Sequence, residues 1–370
     1  ITPLETVETP GLPGSRPPKG AAESVTYQRA EVVISYPFEN VGPSLTNLMT
    51  TVAGNLFELG QFSGLKLMDI EVPPPFADVY AGPQFGIDGT RQLANVFDRP
   101  LIGTIIKPSV GLSPQETAEL VDTLAGAGLD FIKDDELIAS PPYSTIEART
   151  RAVMPVIERH ADRTGRELMY AFNITGDLDD MKRHHDTVLA AGGTCIMVSL
   201  NSVGLTGVIE LRKHSQLPIH AHRNGWGALS RHPQLGFSYV AWQKFWRLAG
   251  VDHMHVNGLR NKFCEADDSV IEAARACLTP ILESDSNSGY TVMPVFSSGQ
   301  SAVQVPGTYA ALQSVDLMYL AGGGIIGHPG GPAAGALSLR QAWEAATLGV
   351  TLESHASTHP ELREALKKYG

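Results

Sequence analysis

Cysteine is scarce in this chain: Cys195, Cys264 and Cys277 are its only three, an odd number without metal-ligand spacing. That excludes a disulfide scaffold and suits a reducing cytoplasm. Positive charge is short as well, with 28 Lys and Arg against 39 Asp and Glu and a formal net charge of -11. A sequence-independent nucleic-acid binder needs a basic face to displace counterions from phosphates, so that class is excluded, although a local basic pocket for a small anion is not. No apolar run reaches the roughly 20 residues that span a bilayer, and no secretory signal is legible, so no membrane partner is expected. Charged residues form no long blocks. With 43% hydrophobic and 18% charged residues, the 370-residue chain reads as a globular protein with one large core and a smaller unit.

The opening "ETPGLPGSRPPKG" is a Pro/Gly-rich loop. "VTYQRAEVVISYPF" then alternates like a strand, "SLTNLMTTVAGNLF" has helical apolar spacing, and "LKLMDIEVP" reads as another strand. Residues 1 to 95 are therefore expected to form a small α+β domain of ferredoxin-like type. From "PLIGTIIKP" onward the rhythm changes. Short apolar strands are predicted at 102 to 107, 130 to 135, 168 to 173, 195 to 200, 218 to 222, 253 to 256, 293 to 297 and 317 to 321. Helical patterns such as "SPQETAELVDTLAGAG" and "LDDMKRHHDTVLAAG" separate them. Eight βα units over residues 96 to 370 have the size and rhythm of an α/β fold of (β/α)8 TIM-barrel type, closed by C-terminal helices. The competitor is a doubly wound open sheet; no GxGxxG follows the first strand, and the count of eight favours closure.

In such a barrel the chemistry sits where strands end. Those ends carry Lys107, then Lys133 with Asp135 and Glu136, Asn173, His222 with Arg223, His255, Ser297, and the glycines at 322 to 324. "FIKDDE" is the most unusual of them. Strand alternation puts Lys133 and Asp135 on one face with Glu136 at the turn. A salt-bridged cluster is the plainer reading, but three carboxylates in a row repel one another, so they either splay into water or share a cation. Two carboxylates make a thin Mg²⁺ site; a neutral lysine amine that adds CO₂ becomes a carbamate and supplies a third oxygen ligand. "HAHR" and "HMHV" each place two histidines on one strand face, which suits acid–base work or ligation as well as core packing. Arg223 is placed for an anion. The run "AGGGIIGHPGG" and the "FSSGQ" turn, with Ser297, Ser298 and Gly299, can bring backbone N–H groups to a phosphate. Lys107 is a candidate proton carrier or a carboxylate's partner, and Lys262 either a mobile cation or a solvated loop lysine.

"GTIIKPSVGLS", "GLDFIKDDE", "HAHR", "GVDHMHVNG" with a loop lysine after it, "PVFSSG" and "GGGIIGHPGG" occur in the order found in the ribulose-bisphosphate carboxylase large subunit. The chain resembles that superfamily from about Tyr27 onward, and within it the RuBisCO-like proteins. The resemblance implies a Lys133 carbamate (N6-carboxylysine, with CO₂ as activator) that binds Mg²⁺ with Asp135 and Glu136. It implies that Lys107 handles a substrate proton and that His222, His255 and Lys262 act on the substrate. Arg223, Ser297, Gly299, Gly322 and Gly323 would hold its phosphate, and Ser298 and Asn173, at the same strand ends, are read as substrate-binding residues beside them. It further implies a homodimer with active sites between subunits, Asn55 reaching the neighbour's site and Glu5 marking the other N-terminal contributor.

Departures limit the resemblance. The carboxylases' KPK is Lys107-Pro108-Ser109 here, Trp226 replaces a histidine after "HR", and no N-terminal Thr-Trp pair is present for a second phosphate. Carboxylation of a bisphosphate is therefore not expected. The remaining chemistry suits a phosphorylated keto-sugar acid, as in decarboxylation or transcarboxylation of 3-oxo-isoapionate 4-phosphate. Alternatives are the diketo-methylthiopentyl phosphate enolase and methylthioribulose-phosphate isomerase of methionine salvage, a zinc hydrolase on a barrel, and a silent binding barrel.

Overall fold

The computed structural model describes residues 1–7, 11–17, 19–20, 26–282 and 289–370. Its N-terminal part carries β1 (Thr2–Val7) and β2 (Tyr27–Glu31), an antiparallel pair, and β3 (Leu65–Leu67). The barrel strands are β4 (Leu101–Ile105), β5 (Phe131–Lys133), β6 (Met169–Asn173), β7 (Cys195–Ser199) and β8 (Ile219–His222), then β10 (His253–Asn257), β11 (Met293–Phe296) and β12 (Met318–Leu320). All neighbours are parallel, and β12 pairs with β4 while β8 pairs with β10, so the sheet closes on itself. The intervening β9 (Leu235–Phe237) lies outside the barrel and pairs with β3. That pairing ties the N-terminal part to the segment after β8.

Every barrel strand is buried on both faces, which is why each reads as an almost continuous apolar run. Alternation sorts the side chains. Leu101, Phe131, Met169, Ala171, Cys195, Met197, Met293, Val295 and Met318 fill the interior, whereas Ile132, Tyr170, Phe172, Ile196, Met254 and Val256 pack toward the helices. By the same parity Lys133, His220, His253 and His255 point inward. Gly103 is needed where β4 meets its neighbours, because a Cβ there would lie 2.5 Å from the Phe131 carbonyl and 2.7 Å from Leu320.

The helix Gly86–Ala94 closes the barrel at the N-terminal ends of the strands, its Ala94 packed in the interior cluster with Ile87 and Leu93. It precedes the boundary expected at residue 95 yet serves the barrel. Buried Asp252, just before β10, accepts from the Phe85 and Gly86 amides at 2.7 and 3.0 Å and from the Ile219 amide at 2.8 Å, and pairs with Arg212 at 3.0 Å. Arg91 secures the other side through Asp316 and the Val315 and Val96 carbonyls.

The N-terminal part differs in detail from the strand–helix–strand pattern expected. The strand beginning at "VTYQRAE" ends at Glu31 and leaves Val33 and Ile34 exposed, and "LKLMDIEVP" contributes only Leu65–Leu67. Alternating apolar residues make a strand only where a partner edge is offered, and β3 finds its own on β9.

Candidate active site

Around "FIKDDE" the three carboxylates separate into two roles. Asp134 points out of the barrel, where it accepts from Arg149 Nη2 at 3.0 Å, Tyr170 Oη at 2.6 Å and the Asn173 amide at 2.9 Å. It is fully buried and paired with a buried guanidinium, a structural clamp as its parity indicates. Asp135 and Glu136 turn to the barrel mouth. Asp135 Oδ2 accepts from Lys107 Nζ at 2.5 Å, and Oδ1 from the Leu137 amide at 3.1 Å. Glu136 Oε2 stands 3.8 Å from Lys133 Nζ and 3.5 Å from His222 Nε2.

Lys133 is 1% exposed, and its ammonium donates to the Asp134 carbonyl at 2.9 Å with Met197 Sδ at 3.5 Å. Burial pushes its pKa below the usual lysine value, against the opposing pull of Glu136 and Asp135. An amine held toward its neutral form beside two hard carboxylates is the donor set that a carbamate and Mg²⁺ require, so the residues fit that group. Asn173 lies beneath this turn. Its Nδ2 donates to the Asp135 and Glu136 carbonyls, both at 3.2 Å, while Oδ1 accepts from the Thr175 amide and hydroxyl. Expected at the sequence level to bind substrate, Asn173 here braces the acidic turn.

Beside the acidic turn lie the histidines. His222 is accessible at the mouth and edge-on to His255, with ring centroids 4.7 Å apart. Burial, then the charge of Lys133, lowers the His222 pKa to about 3, so the ring is neutral near pH 7. His255 Nδ1 lies 3.1 Å from Ser297 Oγ and its Nε2 2.8 Å from His220 Nε2. The ring nitrogens of His220 and His253 also face each other, which leaves the two HxH pairs bonded to one another rather than open to a shared metal.

The residues expected to meet an anion follow on β8 and the later strand ends. Buried Arg223 bonds Glu265 through Nη2 and lies 5.1 Å from the Tyr239 ring centroid, but its Nη1 has no hydrogen-bond partner. An orphaned buried guanidinium N–H is a donor waiting for an acceptor. Glu265 is held by Asn257 Nδ2 at 2.6 Å and Ser269 Oγ at 3.0 Å, and Asn257 Oδ1 accepts from Ser298 Oγ at 2.9 Å. Gly299 has φ +88°, and Gly322 and Gly323 have nothing within 4 Å of a would-be Cβ, so their backbone faces open space. Glu265 and Tyr239 were not anticipated; the signal available was that a buried strand-end arginine requires a counterion.

Lys262, Asn55 and Glu5 complete the expected set. Lys262 is exposed, its amide donating to the Ser298 carbonyl at 3.2 Å and its Nζ lying 5.2 Å from the Phe263 ring centroid. Asn55 opens the 3-10 turn Asn55–Glu58, exposed, and among the described residues has no hydrogen bond to the cleft. Glu5 pairs with Arg29 across β1 and β2. At the two departures, Ser109 Oγ accepts from Lys107 Nζ at 2.8 Å, and Trp226 packs against Tyr239 and Trp242.

A closed eight-stranded barrel with a lysine and two carboxylates at the mouth, between further strand ends that carry His222, Arg223 and His255, has the layout of a barrel enzyme. The ribulose bisphosphate carboxylase large-chain catalytic-domain model matches residues 86–369 and the N-terminal-domain model residues 20–76, and the chain belongs to that family. It is 58% identical over 363 residues to the 3-oxo-isoapionate-4-phosphate transcarboxylase/hydrolase of Xanthobacter autotrophicus, covering 98% of this chain and 86% of that one. It is 45% identical over 371 residues to the 3-oxo-isoapionate-4-phosphate decarboxylase of Rhizobium etli, covering 100% and 87%. The crystal structure of a rubisco-like protein from Burkholderia fungorum superposes with a TM-score of 0.90 at 45% identity, covering 99% of this chain and 91% of that one. The chain is thus a RuBisCO-like protein of lyase type rather than a CO₂-fixing carboxylase.

Proposed function

We propose that this protein cleaves the carboxylate from 3-oxo-isoapionate 4-phosphate or a close phosphorylated β-keto sugar acid, as a decarboxylase or transcarboxylase/hydrolase. The observation that carries this reading is that the strand end bearing Asp135 and Glu136, with Lys107 on Asp135, meets the strand end of His222, 3.5 Å from Glu136, whose neighbour Arg223 holds an orphaned guanidinium donor, Nη1. The names of the relatives at 58% and 45% identity support it.

Lys133 as its carbamate, Asp135 and Glu136 would hold Mg²⁺, which as a Lewis acid draws electron density from a keto oxygen. Arg223 Nη1 and the N–H groups near Gly299, Gly322 and Gly323 hold the phosphate, with Ser297 and Ser298 lining the same wall. The bond between the carboxyl carbon and its neighbour breaks, the electron pair passes into the keto group, and CO₂ leaves. Lys107 Nζ, hydrogen-bonded to Asp135, then returns a proton to the carbon. His222 and His255 orient the substrate's hydroxyls as neutral groups. Lys262 has a place as the loop cation that swings from Phe263 over the bound anion. Ser109 and Trp226 leave no second cationic anchor, which favours a monophosphate.

The protein acts as a homodimer in which Asn55 completes the partner's cleft; the exposed position of Asn55 and the bare apolar stretch at Val33 and Ile34 support this. Cys195 and Cys277 are free and buried and Cys264 is free and exposed, in keeping with the cytoplasm, and no helix among the described residues is long and apolar enough to cross a membrane. The test is a panel of phosphorylated keto-sugar acids and methylthio-sugar phosphates assayed with Mg²⁺ and bicarbonate. CO₂ release from the β-keto acid is expected; turnover of the methylthio-sugars alone would move the assignment to methionine salvage.

A further inference from the structure

A line of hydrogen bonds runs along the barrel axis from the floor helix to the cleft. Thr90 Oγ1 lies 2.8 Å from His253 Nε2, His253 Nδ1 3.3 Å from His220 Nδ1, His220 Nε2 2.8 Å from His255 Nε2, and His255 Nδ1 3.1 Å from Ser297 Oγ. Thr90, His220 and His253 are 0% exposed and His255 4%, so the line is shielded from bulk solvent. Burial holds all three rings neutral, with His253 lowered to about 3.

A neutral imidazole has one N–H and one bare nitrogen, and each N···N contact needs one of each. The order of the whole line therefore follows from either end. At the floor the Thr90 hydroxyl donates to the Gly86 carbonyl four residues earlier, so toward His253 it can only accept. His253 must then carry its proton on Nε2 and leave Nδ1 bare. His220 donates from Nδ1 and accepts at Nε2; His255 donates from Nε2. What reaches the cleft is a bare His255 Nδ1, which accepts from Ser297. Gly86 is itself fixed, because Asp252, adjacent to His253 in sequence, accepts from the Phe85 and Gly86 amides.

We propose that Thr90, at the far end of the barrel, is a positioning residue that sets the tautomer of His255 through His253 and His220, so that the substrate-free cleft presents an acceptor nitrogen. A hydroxyl, from Ser297 or from substrate, satisfies that nitrogen directly. An anionic oxygen there requires all three rings to exchange protons and the Thr90 hydroxyl to turn from Gly86 to His253. The anion is thereby directed to Arg223 and the glycine turns, and His255 to a substrate hydroxyl; this last point rests on the function proposed above, whereas the tautomer does not.

The test is ¹⁵N NMR of full-length protein labelled in its histidine rings, without substrate, the His255 signals being assigned by their loss in His255→Asn. The expected spectrum has a bare Nδ1 and a protonated Nε2 for His255. In Thr90→Val the single order is lost and the His255 ring signals shift. There kcat falls about tenfold at a KM within about twofold, part of the roughly 10²- to 10⁴-fold that a correctly protonated acid–base group supplies. Thr90→Ser keeps the hydroxyl and restores both. A protonated Nδ1 in the unaltered protein overturns the proposal, as do unchanged His255 signals in folded Thr90→Val. If Thr90→Val does not fold, the spectrum of the unaltered protein decides alone. Because that spectrum needs no substrate, it can stand or fall apart from the assigned reaction.

Discussion

In the mechanism proposed above, Arg223 and Lys133 divide the work of the cleft between an anchor and a reactive end. Arg223 keeps Nη1 buried and unpartnered while Glu265 holds Nη2, so the guanidinium is oriented before any ligand arrives. Removing it in Arg223→Gln is expected to raise KM by about 10- to 100-fold, the equivalent of one charge-assisted hydrogen bond of roughly 1.5–3 kcal/mol. Steady-state kinetics with the phosphorylated substrate check this; an unchanged KM would remove Arg223 from the phosphate site. The orientation of Lys133 was legible in the sequence because strand parity alone separates Lys133 and Asp135 from Asp134. Asn173 was not, since its amide turns to the backbone of the adjacent acidic loop, and neither was Thr90, whose partner His253 lies 163 positions further along the chain.

Among the secondary-structure elements, the eight barrel strands were the most legible part of the chain, each being an apolar run closed by polar or glycine residues. The floor was less so. Helix Gly86–Ala94 has an ordinary amphipathic pattern, and only the tertiary contacts of Asp252 and Arg91 show that it seals the barrel. Asp252→Ala removes the acceptor for three backbone amides and leaves Arg212, largely buried, without its carboxylate. A loss of about 3–5 kcal/mol is expected, the usual result of breaking a buried pair from one side. Urea unfolding would read it as a lower midpoint; a midpoint unchanged from the parent would show that the floor is held by packing alone.

For the molecule as a whole, the buried histidines set the response to acid. His222 and His253 have folded-state pKa values near 3 against 6.5 when exposed, and His220 and His255 are also depressed. Between about pH 6.5 and 3 the unfolded chain binds more protons than the folded one, so stability falls as pH falls through that window and levels off below it. The urea midpoint is expected to be lower at pH 5 than at pH 7.5, and equal midpoints would contradict the burial of neutral rings. The dimer has its own test. Asn55→Ala and Lys133→Ala are each expected to be inactive, and mixing them under exchanging conditions should restore about a quarter of parental activity. Half of the dimers are then mixed, each with one intact site assembled from two chains. No recovery on mixing would place the complete site within one chain.

The most direct measurement is CO₂ release from 3-oxo-isoapionate 4-phosphate by the parent protein and by Lys133→Arg, after incubation with Mg²⁺ and bicarbonate. An arginine keeps the charge but has no amine to form a carbamate. The account predicts release by the parent that rises with bicarbonate preincubation, and a loss on the order of 10³-fold or more in Lys133→Arg, comparable to removing a main electrostatic stabiliser. Release that is independent of bicarbonate and retained in Lys133→Arg would contradict it.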